Sequence, residues 1–332
     1  MSIYKLMEKD WRAYCLMSSI IYIEEMTKPN EHTQIKNYKN KKYNYLCFHS
    51  ISLKMKDLAF TQRFFKITKK WENKKKIKFI GNSFNEIRKD PRNGQYYFYL
   101  SPLWMNWIIS ECGKIPNAYT LKTSVKRIRH LKQYKKIPIN FKKDLFKLLL
   151  NNKKLAAGAF VVSMDLECRG VQQGSVSLCM SEKYKDFLNT MLKIAKKWRW
   201  TNNEKLSSVK VDNSIKLGIN ASPQYEFRIT INGLKEIYKL AGPLANTHKD
   251  KCIKFHIKRS NNYVNSWEMR KKANTREKIL KAVKKNKNLT TTDLQFIAGV
   301  RVDVILDHLH KLEKQEKVIK NRKGKRYIWN IK

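Results

Sequence analysis

Residues 56–113 and 185–242 lie over each other without gaps at a constant offset of 129, and this internal repeat constrains the fold more than any single motif. Lys56 and Asp57 fall on Lys185 and Asp186, Thr61 on Thr190, Trp71 on Trp200, Asn73 on Asn202 and Lys76 on Lys205. Further on, Gln95, Tyr96, Phe98, Ile108 and Gly113 fall on Gln224, Tyr225, Phe227, Ile237 and Gly242. A duplicated module predicts two similar halves related by a pseudo-twofold axis within one chain, which is expected to act as a monomer.

Hydrophobic periodicity fills in each half. Residues 9–26 predict a helix, residues 27–42 a long basic loop, and the aromatic, branched run 43–53 a strand. Residues 56–71 read as a helix, 77–84 and 95–100 as strands, and 103–112 as a helix stopped by Gly113. The second half repeats the order: helix 141–164, strand 174–180, helix 183–198, strands 208–219 and 224–231, and helix 234–240 before Gly242. The expected class is therefore α+β, with two αβαββα lobes. Residues 1–120 hold the first lobe, and 121–258 hold a connection and the second.

From residue 274 the pattern changes, after an expected linker at 259–272. Helices are predicted at 275–286, 290–298 and 301–314, with Gly299 making a turn between the last two. A short strand at 318–320, a turn at 322–325 and a strand at 326–331 follow. Three helices and a basic hairpin form the winged helix-turn-helix pattern, so 259–332 is expected to be linker plus winged helix. Residues 274–332 carry 16 Lys+Arg against 6 Asp+Glu. Arg301, near the start of the third helix, and Arg322, Lys323, Lys325 and Arg326 on the wing are the expected DNA contacts.

The whole chain carries 71 Lys+Arg against 27 Asp+Glu, a net charge of +44. Drift in a Lys-rich proteome explains Lys over Arg but not the shortage of acid. Its hydrophobic content of 42% can build cores, so the charge does not mark a disordered tail. Double-stranded DNA is the expected partner. The six cysteines show no C-x-x-C spacing, which argues against a zinc ribbon and fits reduced thiols in an intracellular, cytoplasmic protein. The apolar run 13–23 is too short to span a bilayer and is closed by Glu24 and Glu25, so a buried helix is expected and no membrane partner. No phosphate loop, H-E-x-x-H or G-x-S-x-G occurs.

A duplicated lobe with a helix ahead of its first strand resembles the LAGLIDADG homing endonuclease family over residues 10–258. The first motif helix would be 17–25, where Ser18 and Ser19 suit close helix contact and Glu24 falls at the acid position. The second would be 156–164, where Ala157 and Gly158 are small but Ser163 stands at the acid position, with Asp165 just beyond. The family's glycine after the acid is absent in both. The resemblance implies that the two helices pack along the pseudo-twofold axis and that saddle-shaped sheets lie in the major groove. It also implies that Glu24 and Asp165 hold a divalent metal such as Mg2+ for phosphodiester hydrolysis. Three functions stay open: an endonuclease, weak or lost in activity because Ser163 cannot supply charge; a non-catalytic DNA-binding regulator; and an intron RNA-binding maturase.

Overall fold

The computed structural model describes the chain apart from residues 26–30, 39–40, 49–50, 56, 77, 81–85, 101–103, 105–145, 210–222, 262–273 and 324–325. Side chains at 22–25, 31–38, 41–48, 51, 52, 54, 173, 183, 261, 323 and 326 also lie outside the description. The fold is mixed α+β, with small antiparallel sheets among many helices.

The chain opens with α1 (Ile3–Lys9) and α2 (Trp11–Glu25). Ser2 caps α1 through its side chain, and Asp10 accepts from Ala13 N to start α2. Next come β1 (Glu31–Tyr38), β2 (Lys41–Phe48), β3 (Ile51–Met55), α3 (Leu58–Lys75), β4 (Arg88–Lys89) and β5 (Tyr96–Leu100). The second half holds α4 (Lys153–Glu167), β6 (Cys168–Arg169), β7 (Ser177–Ser181), α5 (Lys185–Lys197), β8 (Ser207–Val209), β9 (Gln224–Arg228), α6 (Ile231–Ala241) and α7 (Thr247–Asn261).

The shared Tyr-x-Phe segment lies in a paired strand in both halves, β5 and β9. One sheet runs β3-β5-β4, and the other runs β6-β7-β9-β8. Leu53 pairs with Phe98 and Met55 with Tyr96, while Leu178 pairs with Phe227 and Met180 with Tyr225. Identical residues make identical local bonds: the Thr61 hydroxyl donates to the Asp57 carbonyl at 2.7 Å, and Thr190 donates to Asp186 at 2.9 Å. Trp71 and Trp200 are both buried, and each indole N–H has an acceptor, the Met7 carbonyl and the Glu236 carboxylate respectively. Burying these rings is worth about 3–5 kcal/mol each against alanine.

Several expectations need correction. The segment expected as a loop over 27–42 contains β1, which pairs along its length with β2 in a hairpin. Its strands alternate polar residues (His32, Gln34, Lys36), so the apolar period that announces a half-buried strand is missing. The single strand expected at 43–53 is two, β2 and β3. Of the strand expected at 77–84, residues 78–80 are described, where Ile80 bridges Leu100; the rest lies outside the described residues. The helix expected over 141–164 is interrupted at Asn152, whose side chain accepts from Leu155 N and starts α4 afresh. Helices α1 and α7 are unannounced. The expectations at 103–112 (apart from helical Trp104), at Gly113 and at most of 208–219 lie outside the described residues.

The C-terminal unit has α8 (Thr275–Lys285), β10 (Leu289–Thr290), α9 (Thr291–Ala298), α10 (Val302–Lys314), β11 (Val318–Lys323) and β12 (Arg326–Ile331). Its sheet runs β10-β12-β11. Thr290 and Asp293 exchange capping bonds at the start of α9, and Gly299 ends that helix at φ +73, where a side chain would be strained. A second core, separate from that of the two halves, gathers Ile279, Leu294, Ile305, Leu309, Leu312, Val318 and Trp329. Among the described residues no helix is long and apolar enough to cross a membrane.

Candidate functional site

The two helices singled out by the family resemblance, α2 and α4, pack against each other. Both are apolar around most of their circumference, and Ser18, Ser19, Ala156, Ala157 and Ser163 are all buried. Gly158 is needed for close approach, because a Cβ there would lie 2.4 Å from Ile3 Cδ1 and 3.5 Å from Met17 Sδ. Helix α1 is thereby seated on α4 through Ile3.

At the end of α4, Asp165 does not open toward a groove. It is 1% exposed. Its Oδ2 accepts from the Tyr4 hydroxyl and, at 2.9 Å, from Ala245 N; its Oδ1 accepts from Asn246 N at 2.8 Å. Burial pushes its carboxyl up to about 6, against the lowering effect of these donors and of Lys249. The Lys249 ammonium, carried by α7, donates to the carbonyls of Asp165 at 2.7 Å, Met164 at 3.1 Å and Leu166 at 3.4 Å. A divalent cation needs open oxygen positions at about 2.0–2.1 Å for magnesium. Here the carboxylate oxygens are engaged and an ammonium already faces the helix-end carbonyls. Both Asp165 oxygens thus hold Tyr4 and the 244–246 turn, and a metal ion there would compete with these donors and with Lys249.

Glu24 falls in the last turn of α2, and its side chain lies outside the described residues. No group of three or more His, Cys, Asp or Glu suited to a metal occurs among the described residues.

In the C-terminal unit, Arg301 sits at the N-cap of α10 and pairs with Asp303 through two contacts of 3.1 and 3.0 Å. Arg322 is exposed and stands opposite Tyr327 across the hairpin, and Lys323 stands opposite Arg326. Lys325 and the side chains of Lys323 and Arg326 lie outside the described residues. Sequence reasoning missed Lys320, whose ammonium lies 4.0 Å from the centroid of the exposed Tyr327 ring. The signal was the alternation Lys320, Arg322 opposite Trp329, Tyr327, which places all four on one face.

The unit also rests on the second half. Buried Gln295 of α9 donates to the Gln172 carbonyl at 2.7 Å. The Phe296 ring meets Phe255 of α7 edge-on at 5.5 Å, with Lys251 over it at 4.6 Å. Beside this contact His256 is buried against Gly174, and desolvation lowers its pKa.

Comparison with protein-family models and with curated proteins gives no match.

Proposed function

We propose that this chain binds duplex DNA through a two-lobed LAGLIDADG-type scaffold and a C-terminal winged helix, and that its second lobe has exchanged metal binding for a structural anchor. The observation that carries the reading is the end of α4. In a cleaving lobe this acid would face the scissile phosphate. Here Asp165 is consumed by Tyr4, Ala245 and Asn246, and Lys249 supplies the positive charge at the helix end. The repeat-related strands β5 and β9 each lie inside an antiparallel sheet, which supports the twofold scaffold. The net charge of +44 supports a polyanionic partner. The three helices and antiparallel hairpin from residue 275 onward support the winged helix.

Duplex binding is tested by titrating labelled DNA at two salt concentrations. Affinity falls by on the order of 10³ or more between 50 and 200 mM salt if several phosphates are neutralised. Incubation of supercoiled plasmid carrying a selected target with Mg2+ tests the loss of cutting. Full double-strand cleavage overturns the non-catalytic second lobe, and salt-independent binding overturns the phosphate interface.

A further inference from the structure

We propose that the outer face of α3 is a second nucleic-acid surface, one that takes the phosphate backbone of a duplex other than the duplex held by the sheets and the C-terminal unit. The inference rests on the duplex-binding reading and extends it to a bridging role.

Helix α3 buries Phe60, Phe64, Ile67 and Trp71 and turns its other side outward. Gln62, Lys66, Lys70 and Asn73 are exposed there, and Lys69 is half-buried beside them. Spacing of three and four residues puts them in one stripe, with cations about 6 Å apart along the axis for each four-residue step. Among the described residues Lys66, Lys69 and Lys70 make no ion pair with a carboxylate. The helix's one acid, Glu72, is used otherwise: its Oε2 accepts from Phe79 N and Ile80 N, both at 2.7 Å. Nearby cations sit over rings instead of beside acids, with Arg63 over Tyr4 at 4.8 Å, Lys69 over Phe65 at 5.8 Å and Lys74 over Trp71 at 4.7 Å.

Two ordinary explanations fail for the middle of this stripe. Attraction to the helix dipole accounts for cations in the last turn, Lys74 and Lys75, but not for Lys66, Lys69 and Lys70, which lie further back. General Lys enrichment of the chain predicts the same face on the repeat-related helix. Helix α5 carries exposed lysines at the same spacing, Lys193, Lys196 and Lys197, but there the middle one pairs with Glu204 at 2.5 Å. Among the described residues, the α3 stripe is the one of the two in which none of the three lysines pairs with a carboxylate.

The placement gives it a separate ligand. Helix α3 packs on β3 and β5, covering the sheet face that carries Leu53, Met55, Phe98 and Leu100. The opposite face carries Tyr97 and Tyr99, only partly buried. A duplex on that face and a duplex on α3 therefore lie on opposite sides of one sheet.

The test uses the full chain, shown to be monomeric by light scattering, with equal amounts of donor- and acceptor-labelled duplexes at low salt. Wild-type protein is expected to bring the two labels together. Lys66→Gln/Lys69→Gln/Lys70→Gln is expected to abolish the transfer signal while keeping single-duplex binding and an unchanged far-ultraviolet spectrum. Lys193→Gln/Lys196→Gln/Lys197→Gln, with the same loss of charge on α5, is expected to keep it. In the absence of bridging by wild type despite single-duplex binding, or with equal loss in both triple variants, the second surface is overturned and the proposed function stands. If no duplex binds at any salt, the proposed function falls first and this inference with it.

Discussion

The Lys249 ammonium lies 2.7 Å from the main-chain carbonyl oxygen of Asp165, so a residue of α7 closes the last turn of α4. Helix ends leave carbonyls without partners, and a cation there satisfies both the acceptors and the dipole. The same aspartate holds its side chain inward on Tyr4, 161 residues away in sequence. Together the two residues tie α1, α4 and α7 into one core.

Removing the aspartate is therefore expected to be costly. Asp165→Ala leaves the Tyr4 hydroxyl and two backbone N–H groups buried without an acceptor, a loss of about 3 kcal/mol. Tyr4→Phe removes only one donor and is expected to cost about 1 kcal/mol. Urea denaturation of both variants and of the double variant reads this out. An Asp165→Ala loss below that of a surface substitution would contradict the anchor.

The same group sets a pH dependence. Burial raises the folded-state carboxyl from 3.8 to about 6. The folded protein therefore holds this proton more tightly than the unfolded chain. The resulting stabilisation is complete below pH 3.8 and is lost as pH rises through about 6. Unfolding free energies of wild type and Asp165→Asn, measured from pH 4 to 7, should show the wild-type advantage shrinking as pH rises. His256 works in the opposite sense. Burial lowers its pKa below 6.5, so its stabilisation is present above pH 6.5 and is lost on acidification. His256→Gln should flatten the acid limb, and an unchanged limb would show that another group governs it.

How much of this was legible depends on range. Local signals carried through: Gly242 and Gly299 end helices, as their positions after apolar periods announced. Strand β1 stayed hidden because its sequence carries no apolar period, whereas its partner β2 lies largely within the run 43–53 read as a strand. Helix α7 stayed hidden behind its charge, although Cys252, Ile253 and His256 mark a buried stripe at helical spacing. At the candidate site, the closeness of two helices with small residues was readable. The fate of Asp165 was not, because its partners Tyr4, Ala245, Asn246 and Lys249 reach it only through tertiary packing.

The contact between the C-terminal unit and α7 makes a further prediction. Gln295 and Phe296 supply a hydrogen bond to Gln172 and an edge-on ring contact to Phe255. Gln295→Ala/Phe296→Ala removes both. Because the C-terminal unit has its own core, it is expected to melt separately from the rest of the double variant in calorimetry, whereas the wild type is expected to unfold as one. Identical melting profiles for the two proteins would mean that the contact contributes nothing to coupling.

Arg301 gives the sharpest test of the proposed DNA contact. Its guanidinium is engaged by Asp303, and both side chains are about half exposed, at 51% and 57%. An exposed pair of this kind is worth only about 0–1 kcal/mol, so a phosphate or a guanine edge can displace the carboxylate at little cost. Asp303→Ala removes both the competitor and a negative charge facing the DNA, and affinity for duplex is expected to rise severalfold. Arg301→Ala is expected to weaken binding by about 1–3 kcal/mol if the arginine reads a base, with relaxed preference at that position. If it touches only phosphate, affinity instead falls evenly across sequences and the salt slope drops by about 1. The double variant separates the effects, since Asp303→Ala should gain nothing once Arg301 is gone. A gain that persists in the double variant would show that Asp303 acts by general repulsion and that Arg301 is not the contact.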